Sequence, residues 1–508
     1  MKSYHRLSQV TKIDKSRAKS GKVINKNFIR TLCFNKWLII LLFLIANGGC
    51  KKLVVVEGPY TSINESNLFS NDATAISLMT SVYAKMSANS IFSGGLTSIS
   101  FFSGLSSDEF SIYTGINDIN LLGYYKNSLS SSNSNSSDLW LNVYPIIYIT
   151  NTVIDGLSQS NSLTPSISQQ LLGEAKFIRA LCYFYLVNFY GDTPLALSTD
   201  YTVNASLARA PKDIVYGQII EDLKSAKKLL SSNYIDKNLI VIGNERIRPI
   251  KWVASALLAR VYLFMHDYIN AETESTSIIQ NTSLYNIDSD LNETFLKNSN
   301  EAIWQLQPVN YGWNTEDGRV FIIPNTGVSD AYPVYLSQFI LNSFEANDYR
   351  RRYWVDSVNV DGIIYFYPYK YKSSTLGADI TEYSMVFRLA EQYLIRSEAR
   401  TMQGNMTGTT GGISDLDVIR HRAGLAGYSG GADKPSVLAA ILHERQVELF
   451  SEWGHRWLDL KRSGNIDAVM SVVTPLKGGT WNTNWQLYPI PLGELQKTPK
   501  IKQNPGYE

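Results

Sequence analysis

Cysteine and histidine are scarce in this 508-residue chain. Three Cys occur, at 33, 50 and 182, and five His, at 5, 266, 421, 443 and 455. No His stands in an HExxH string, and no P-loop or GxGxxG is present, so the common signatures of zinc peptidases and nucleotide enzymes are missing. Asp288-Ser289-Asp290-Leu291-Asn292-Glu293 begins like a calcium loop. It carries Glu293 where the loop needs Gly and Ser299 where it needs the bidentate Glu, so it reads as a loop cap. An excess of either charge is absent too, with 47 basic and 45 acidic residues. The apolar run Trp37–Ala46 is too short to span a bilayer as a helix.

The surroundings of that run give it another meaning. Ten Lys/Arg and the single acid Asp14 precede it, and Asn47-Gly48-Gly49-Cys50 follows. A basic stretch, a short apolar core and a small-residue exit predict a secretory signal over 1–49. The Cys after two glycines resembles a bacterial lipobox, so Cys50 is the expected lipidation site and the membrane tether, although Asn47 departs from the usual residue three places earlier. The length of the basic stretch is expected to reflect a start codon nearer Trp37. The competing reading is an uncleaved anchor helix with a bystander cysteine. Because the basic excess belongs to the leader, the remainder is acidic by about seven charges, which gives no reason to expect a nucleic-acid partner. With Cys33 removed and Cys50 acylated, only Cys182 stays a thiol, and no disulfide framework can form within residues 50–508, read as a single domain.

Within that domain the apolar spacing is mainly helical. Ser168–Tyr190 repeats apolar residues every three or four positions and stops at Gly191, with Pro194 beyond, as a glycine-capped helix does. It pairs with a helix over Asp138–Leu157. Further pairs are Lys212–Leu230 with Lys251–His266, Asn270–Gln280 with Phe387–Gln403, and Ile413–Arg422 with Val437–Gly454. About four helix pairs with small residues at the crossings predict a mainly α, tetratricopeptide-like (TPR-like) scaffold. Residues 91–137, rich in Gly, Ser and Asn, read as long surface loops. Residues 284–386 read as an irregular insertion with a few short strands, among them Ala302–Gln307 and Ile363–Tyr367. Cys182, Trp140, Trp252, Trp304 and Trp457 sit on helix or strand patterns and are expected in the core.

Six blocks in a fixed order then resemble the SusD/RagB family of outer-membrane nutrient-binding lipoproteins. They are Cys50-Lys51-Lys52-Leu53; Glu174-Ala175-Lys176-Phe177-Ile178-Arg179-Ala180 through Tyr190-Gly191-Asp192-Thr193-Pro194-Leu195; Arg209-Ala210-Pro211 with Ile220-Glu221-Asp222-Leu223; Arg388-Leu389-Ala390-Glu391 with Glu398-Ala399; Glu444-Arg445, Glu448-Leu449, Glu452, Gly454-His455-Arg456-Trp457 and Asp459-Leu460-Lys461-Arg462; and Tyr488-Pro489-Ile490-Pro491 with Asn504-Pro505-Gly506-Tyr507. Trp453 is an insertion in the usual Glu-Gly-His-Arg string, and no acids directly follow Lys51-Lys52. The resemblance implies a non-catalytic, lipid-anchored protein of the outer membrane. Such a protein captures oligosaccharides, or another nutrient polymer fragment, and passes them to a SusC-like TonB-dependent barrel. It implies no cofactor.

Two other classes are weighed beside it. A secreted glycoside hydrolase needs two carboxylates about 5–10 Å apart, one with a raised pKa. Glu444, Glu448 and Glu452 share a helix face, but each has a cation within a turn or so, which favours a salt-bridged structural helix. A TPR-like assembly scaffold would need no solvent-open loop aromatics. Sugars stack their C–H faces on Trp or Tyr and give their hydroxyls to Asn, Asp or Arg. On that chemistry the candidate ligand residues are Tyr311, Trp313 and Asn314, with Asp317 and Arg319 nearby; Trp481 and Trp485; and Asp108 with Tyr113 in the first long loop. Core packing under a long loop is the alternative for each ring.

Overall fold

The computed structural model describes residues 65–88, 92, 95–132 and 138–507; Cys50 and the leader lie outside them. After a single helical turn, Glu65–Leu68, comes helix α1, Asp72–Ser87, capped by Asn71, whose side chain accepts from the Thr74 amide. Two short helices follow, α2 (Ile99–Ser106) and α3 (Ile119–Tyr125). The stretch expected to be surface loop therefore holds a helix of which every residue is buried. Its serines disguise it. Ser98 caps it by accepting from the Phe101 amide, Ser103 bonds back to the Ile99 carbonyl, and Ser106 meets Tyr488, while Phe101, Phe102 and Leu105 fill the core.

The scaffold proper begins with α4 (Asp138–Gln159) and α5 (Pro165–Tyr190). A four-residue helix α6 (Tyr201–Asn204) precedes α7 (Lys212–Leu229), α8 (Lys251–Phe264) and α9 (Tyr268–Ile279). After the insertion, which contains the short helix α10 (Glu316–Phe321), come α11 (Leu389–Met402), α12 (Gly412–Arg422), α13 (Lys434–Glu448), α14 (His455–Arg462) and α15 (Ile466–Leu476). Helix α4 packs on α5, α5 on α7, and so on through α8, α9 and α11 to α12 and α13, the stacking of a mainly α, TPR-like scaffold. Two helix ends differ from expectation. Phe387 and Arg388 belong to a strand, and the last pair stops at Glu448, with a turn over 449–454.

The short strands pair antiparallel: β1 (Phe110–Ile112) with β5 (Val334–Leu336), β2 (Thr193–Pro194) with β3 (Arg209–Ala210), β4 (Ala302–Leu306) with β8 (Ser384–Arg388), and the hairpin β6 (Val355–Val360) with β7 (Ile363–Pro368). Pair β4–β8 is wholly buried.

Successive helices are tied by buried, two-pronged arginine–carboxylate pairs, the strongest polar contacts available in an interior. Arg179 on α5 donates to Asp222 on α7 at 2.8 and 2.7 Å. Arg260 on α8 holds Glu391 on α11 with two bonds of 2.7 Å, and Arg396 on α11 holds Asp415 on α12. Arg462 on α14 bridges Glu398 on α11 and Asp459. The recurring sequence blocks are thus complementary halves of ion pairs.

Trp453 sits in the turn after α13. Ser451, Trp453 and Gly454 all have positive φ, at 56, 46 and 76°. For a Trp this is a strained backbone that must be held in place. The Trp453 amide donates to Ser100 Oγ and its indole N–H to the Met385 carbonyl, while its ring lies near Phe92 and Tyr185. Cys182 is buried, with burial pushing its thiol pKa up, as a small hydrophobe requires. Trp140, Trp304 and Trp457 are core residues, and Trp252 packs half-buried against the core.

Candidate functional site

Strand β4 runs out of the core into a loop that ends at α10. Tyr311, at its tip, is 99% exposed, and Trp313 is half-buried with the Arg319 guanidinium 5.8 Å from its ring centre. The loop is anchored from below. Asn314 is only 3% exposed: its amide nitrogen donates to Ser373 Oγ and the Asp379 carbonyl, and its oxygen accepts from the Thr381 and Glu382 amides. Asn310 donates to Glu316, which also holds Arg319. Gly312 adopts φ +78°, and a Cβ there would meet Leu376 at 2.9 Å, so only glycine fits between the two rings. Such a loop presents rings without paying much ordering entropy on binding, which favours contact with an apolar ligand face. Asp317 is buried in α10; burial, then Glu316 and Glu452, push its pKa up to about 7.

A cavity of about 420 Å³ lies between α1 (Thr80, Tyr83), the 235–247 segment and the end of β4, where Val309 leads into the Tyr311 loop. Tyr83 and Arg248 at its wall are both bonded to Glu174.

The other candidates are placed differently. Trp481 donates its indole N–H to Asp467 at 2.7 Å and meets Trp457 edge-on at 6.1 Å. Trp485 donates to the Gly506 carbonyl. Both are half-buried, their polar edges turned to the protein, and among the described residues no bond or ring contact joins them to Tyr311 or Trp313. Asp108 is not in an open loop. It is 3% exposed and takes both prongs of Arg456, at 2.7 and 2.6 Å, so its oxygens serve the fold. Beside it, burial and then the Asp108 charge push Glu109 up to about 8. Tyr113 is half-buried, with its ring folded back over Gly115. Asn314 likewise has its amide engaged by the protein itself. Cys50 falls outside the described residues.

The acid cluster, with Glu444 and Glu448 on α13 and Glu452 in the turn after it, is filled by cations from elsewhere in the chain. Arg350 bonds Glu444 and Glu448, Arg388 bonds Glu448 and Glu452, Arg422 reaches Glu448 and Glu301, and Lys370 reaches Glu452. Burial alone would raise the Glu448 pKa; Arg422, Arg388 and Arg350 outweigh it and hold the group well below the ordinary range. Burial likewise opposes, and Arg388 and Lys370 outweigh it, at Glu452, which is also lowered. The helical spacing pointed to a salt-bridged face; it did not show that most partners come from the insertion and from α12.

Comparison with known proteins agrees with this architecture. The profile described as "Starch-binding associating with outer membrane" (SusD-like_3) matches residues 64–263, and that of the "SusD family" (SusD_RagB) matches 342–507, in order along one chain. The chain belongs to the SusD/RagB family. A SusD-like protein of Formosa agariphila is 24% identical over 541 residues, covering 92% of this chain and 99% of the relative. The "Starch-binding protein SusD" of Bacteroides thetaiotaomicron is 22% identical, covering 69% and 75%. Among solved structures, a "Laminarin binding SusD-like protein" superposes with a TM-score of 0.72 at 23% identity, over 86% of this chain and all of the other. "Surface glycan-binding protein A" of Bacteroides fluxus superposes with 0.69 at 21%, over 86% and 99%. At these identities the SusD fold is what they share. No helix among the described residues is long and apolar enough to cross a membrane.

Proposed function

We propose that this SusD/RagB chain is a non-catalytic carbohydrate-binding lipoprotein, tethered to the outer membrane through Cys50, that captures soluble oligosaccharides and delivers them to a SusC-like TonB-dependent barrel. The observation that carries the binding site is the fully exposed Tyr311 beside Trp313 on a loop held from beneath by Asn310 and Asn314. Trp481 and Trp485 offer a second, separate patch of half-open rings. Support for the ligand class comes from the family and from relatives named for binding starch, laminarin or surface glycans. Against a glycosidase stands the state of the acid cluster. Glu448 and Glu452 are held ionised by arginines, so neither can serve as the proton donor that glycoside cleavage needs.

A delivery protein must release its cargo, so affinity is expected in the micromolar to millimolar range, about 4–8 kcal/mol. Calorimetry with starch- and laminarin-derived oligosaccharides on wild type, Tyr311→Ala and Trp313→Ala tests this. Each variant is expected to lose about 1–2 kcal/mol, roughly tenfold, without a change in fold. Sugar products released by the wild type would refute the non-catalytic reading, and unchanged binding by both variants would move the site elsewhere.

A further inference from the structure

One face of α4 carries Trp140, Tyr144 and Tyr148, spaced four residues apart and therefore stacked along the helix. A cavity of about 410 Å³ runs along this stripe, closed on its second side by the segment from Pro194 through α6 and on its third by residues 494–501 near the C-terminus. That volume falls in the range of small-ligand sites, about 300–1,000 Å³. The rings grade from closed to open. Trp140 is buried and lies 5.1 Å from Tyr144, whose hydroxyl is bonded to Thr193 and the Pro194 carbonyl, which fixes that ring. Tyr148, at the outer end, is 50% exposed. At the opposite wall the Asn204 side chain donates to the Ser198 carbonyl and is thereby oriented. Its own carbonyl oxygen is buried and has no hydrogen-bond partner. The Glu494–Lys497 pair supplies charged groups at the third wall.

We infer that this cavity is a second saccharide-binding site, taking one or two sugar rings with an apolar face on Tyr148 and hydroxyls on the Glu494–Lys497 pair. Apolar ring faces and hydroxyls on one molecule are what an aromatic stripe beside a carboxylate and an ammonium selects, whereas a purely apolar ligand would bond neither charged group. The site lies on the first helix pair, outside the Tyr311 loop. It rests on the proposal that the protein binds glycans, but on none of the same residues.

The test is calorimetry with the maltose-series and laminaribiose-series oligosaccharides on wild type, Tyr148→Ala, Ala205→Trp and Trp313→Ala. Ala205 lines the cavity from an exposed position, so the Trp fills the space without removing a contact. Melting temperatures verify that the variants fold. The expected result is two binding events, one weakened at least fivefold by Tyr148→Ala and abolished by Ala205→Trp, the other sensitive only to Trp313→Ala. Titrations of the two cavity variants that superpose on wild type, for every sugar the wild type binds, would overturn this site and leave the loop platform standing. Loss of binding in the cavity variants with Trp313→Ala unaffected would uphold it and displace the platform. A wild type that binds none of these sugars would overturn both.

Discussion

Replacing Gly191 should weaken the fold in a way that depends on its unusual backbone. Helix α5 ends at Tyr190, and Gly191 donates its N–H to the Val187 carbonyl at 3.0 Å with φ 72° and ψ −134°. That ψ lies far from the ordinary left-handed cap, which Asn tolerates, and in a region open to glycine alone. A side chain forced there costs on the order of 1–3 kcal/mol. A Cβ would also meet Leu487 Cδ1 at 3.1 Å, on the segment that closes the core through Tyr488, adding roughly 1 kcal/mol of overpacking. The reduced freedom of the unfolded Ala chain returns about 0.5–1 kcal/mol. The net loss for Gly191→Ala is therefore about 1–3.5 kcal/mol. With an unfolding entropy of roughly 2.1 cal/mol/K per residue over about 440 residues, the melting temperature should fall by about 1–4 °C. Scanning calorimetry resolves that. Gly191→Asn should melt as low as Gly191→Ala, because left-handed tolerance does not help at this ψ. If either variant melts with the wild type, or Asn restores what Ala loses, the backbone reasoning is wrong.

Other expectations follow from the charges. Glu448→Gln leaves Arg350, Arg388 and Arg422 facing a neutral amide in a dry interior and should cost about 3–5 kcal/mol by denaturant unfolding. Because the folded Glu448 pKa lies below its unfolded value near 4.5, its stabilisation is complete above that pH and lost as pH falls further; the variant should show a shallower acid limb. Glu109 behaves oppositely. Raised to about 8, it stays protonated in the fold while the unfolded chain ionises, so its presence lowers stability progressively from about pH 4.5 to pH 8. Glu109→Gln, which can still accept from the Ser451 amide, should raise the melting temperature more at pH 8 than at pH 5, and an equal shift at both would contradict the assignment. Cys50→Ala should move the protein from the membrane fraction to the soluble periplasm, since acyl chains supply about 0.8 kcal/mol per buried CH₂; unchanged partition in fractionated cells would sink the tether.

The helical repeats were legible because each buries a stripe at a period the sequence displays, and Gly191 with Pro194 marks a helix end in the plainest code available. Helix α2 was not, since its serines find partners in the local backbone or in Trp453 and Tyr488 far along the chain, and only the apolar residues betray the core. Asp108 and Asn314 show the same limit from the other side. Polar residues in an apparent loop look free until their partners appear, and those partners, Arg456 and the 373–382 segment, stand hundreds or tens of residues away. Exposure at Tyr311 was the part of the site that composition could anticipate. The cavity beside α4 went unread although Trp140, Tyr144 and Tyr148 stand at helical spacing, because a stripe alone does not say whether protein or ligand covers it.

Helix α2 also bears on how the chain comes to fold. Beside its contacts with neighbouring segments, it is bonded to the far end of the polypeptide: Ser106 meets Tyr488, Lys477 caps the Leu105 carbonyl at 2.7 Å, and Trp453 docks on Ser100, while Asn127 just beyond α3 holds Thr474. Separations of several hundred residues are slow to close, so the burial of α2 is complete only once the last segment arrives. The fold is thus fastened by its C-terminal segments and is not finished repeat by repeat. For the exported lipoprotein proposed above, such a tail-last fastening would keep the emerging half threadable until translocation is complete.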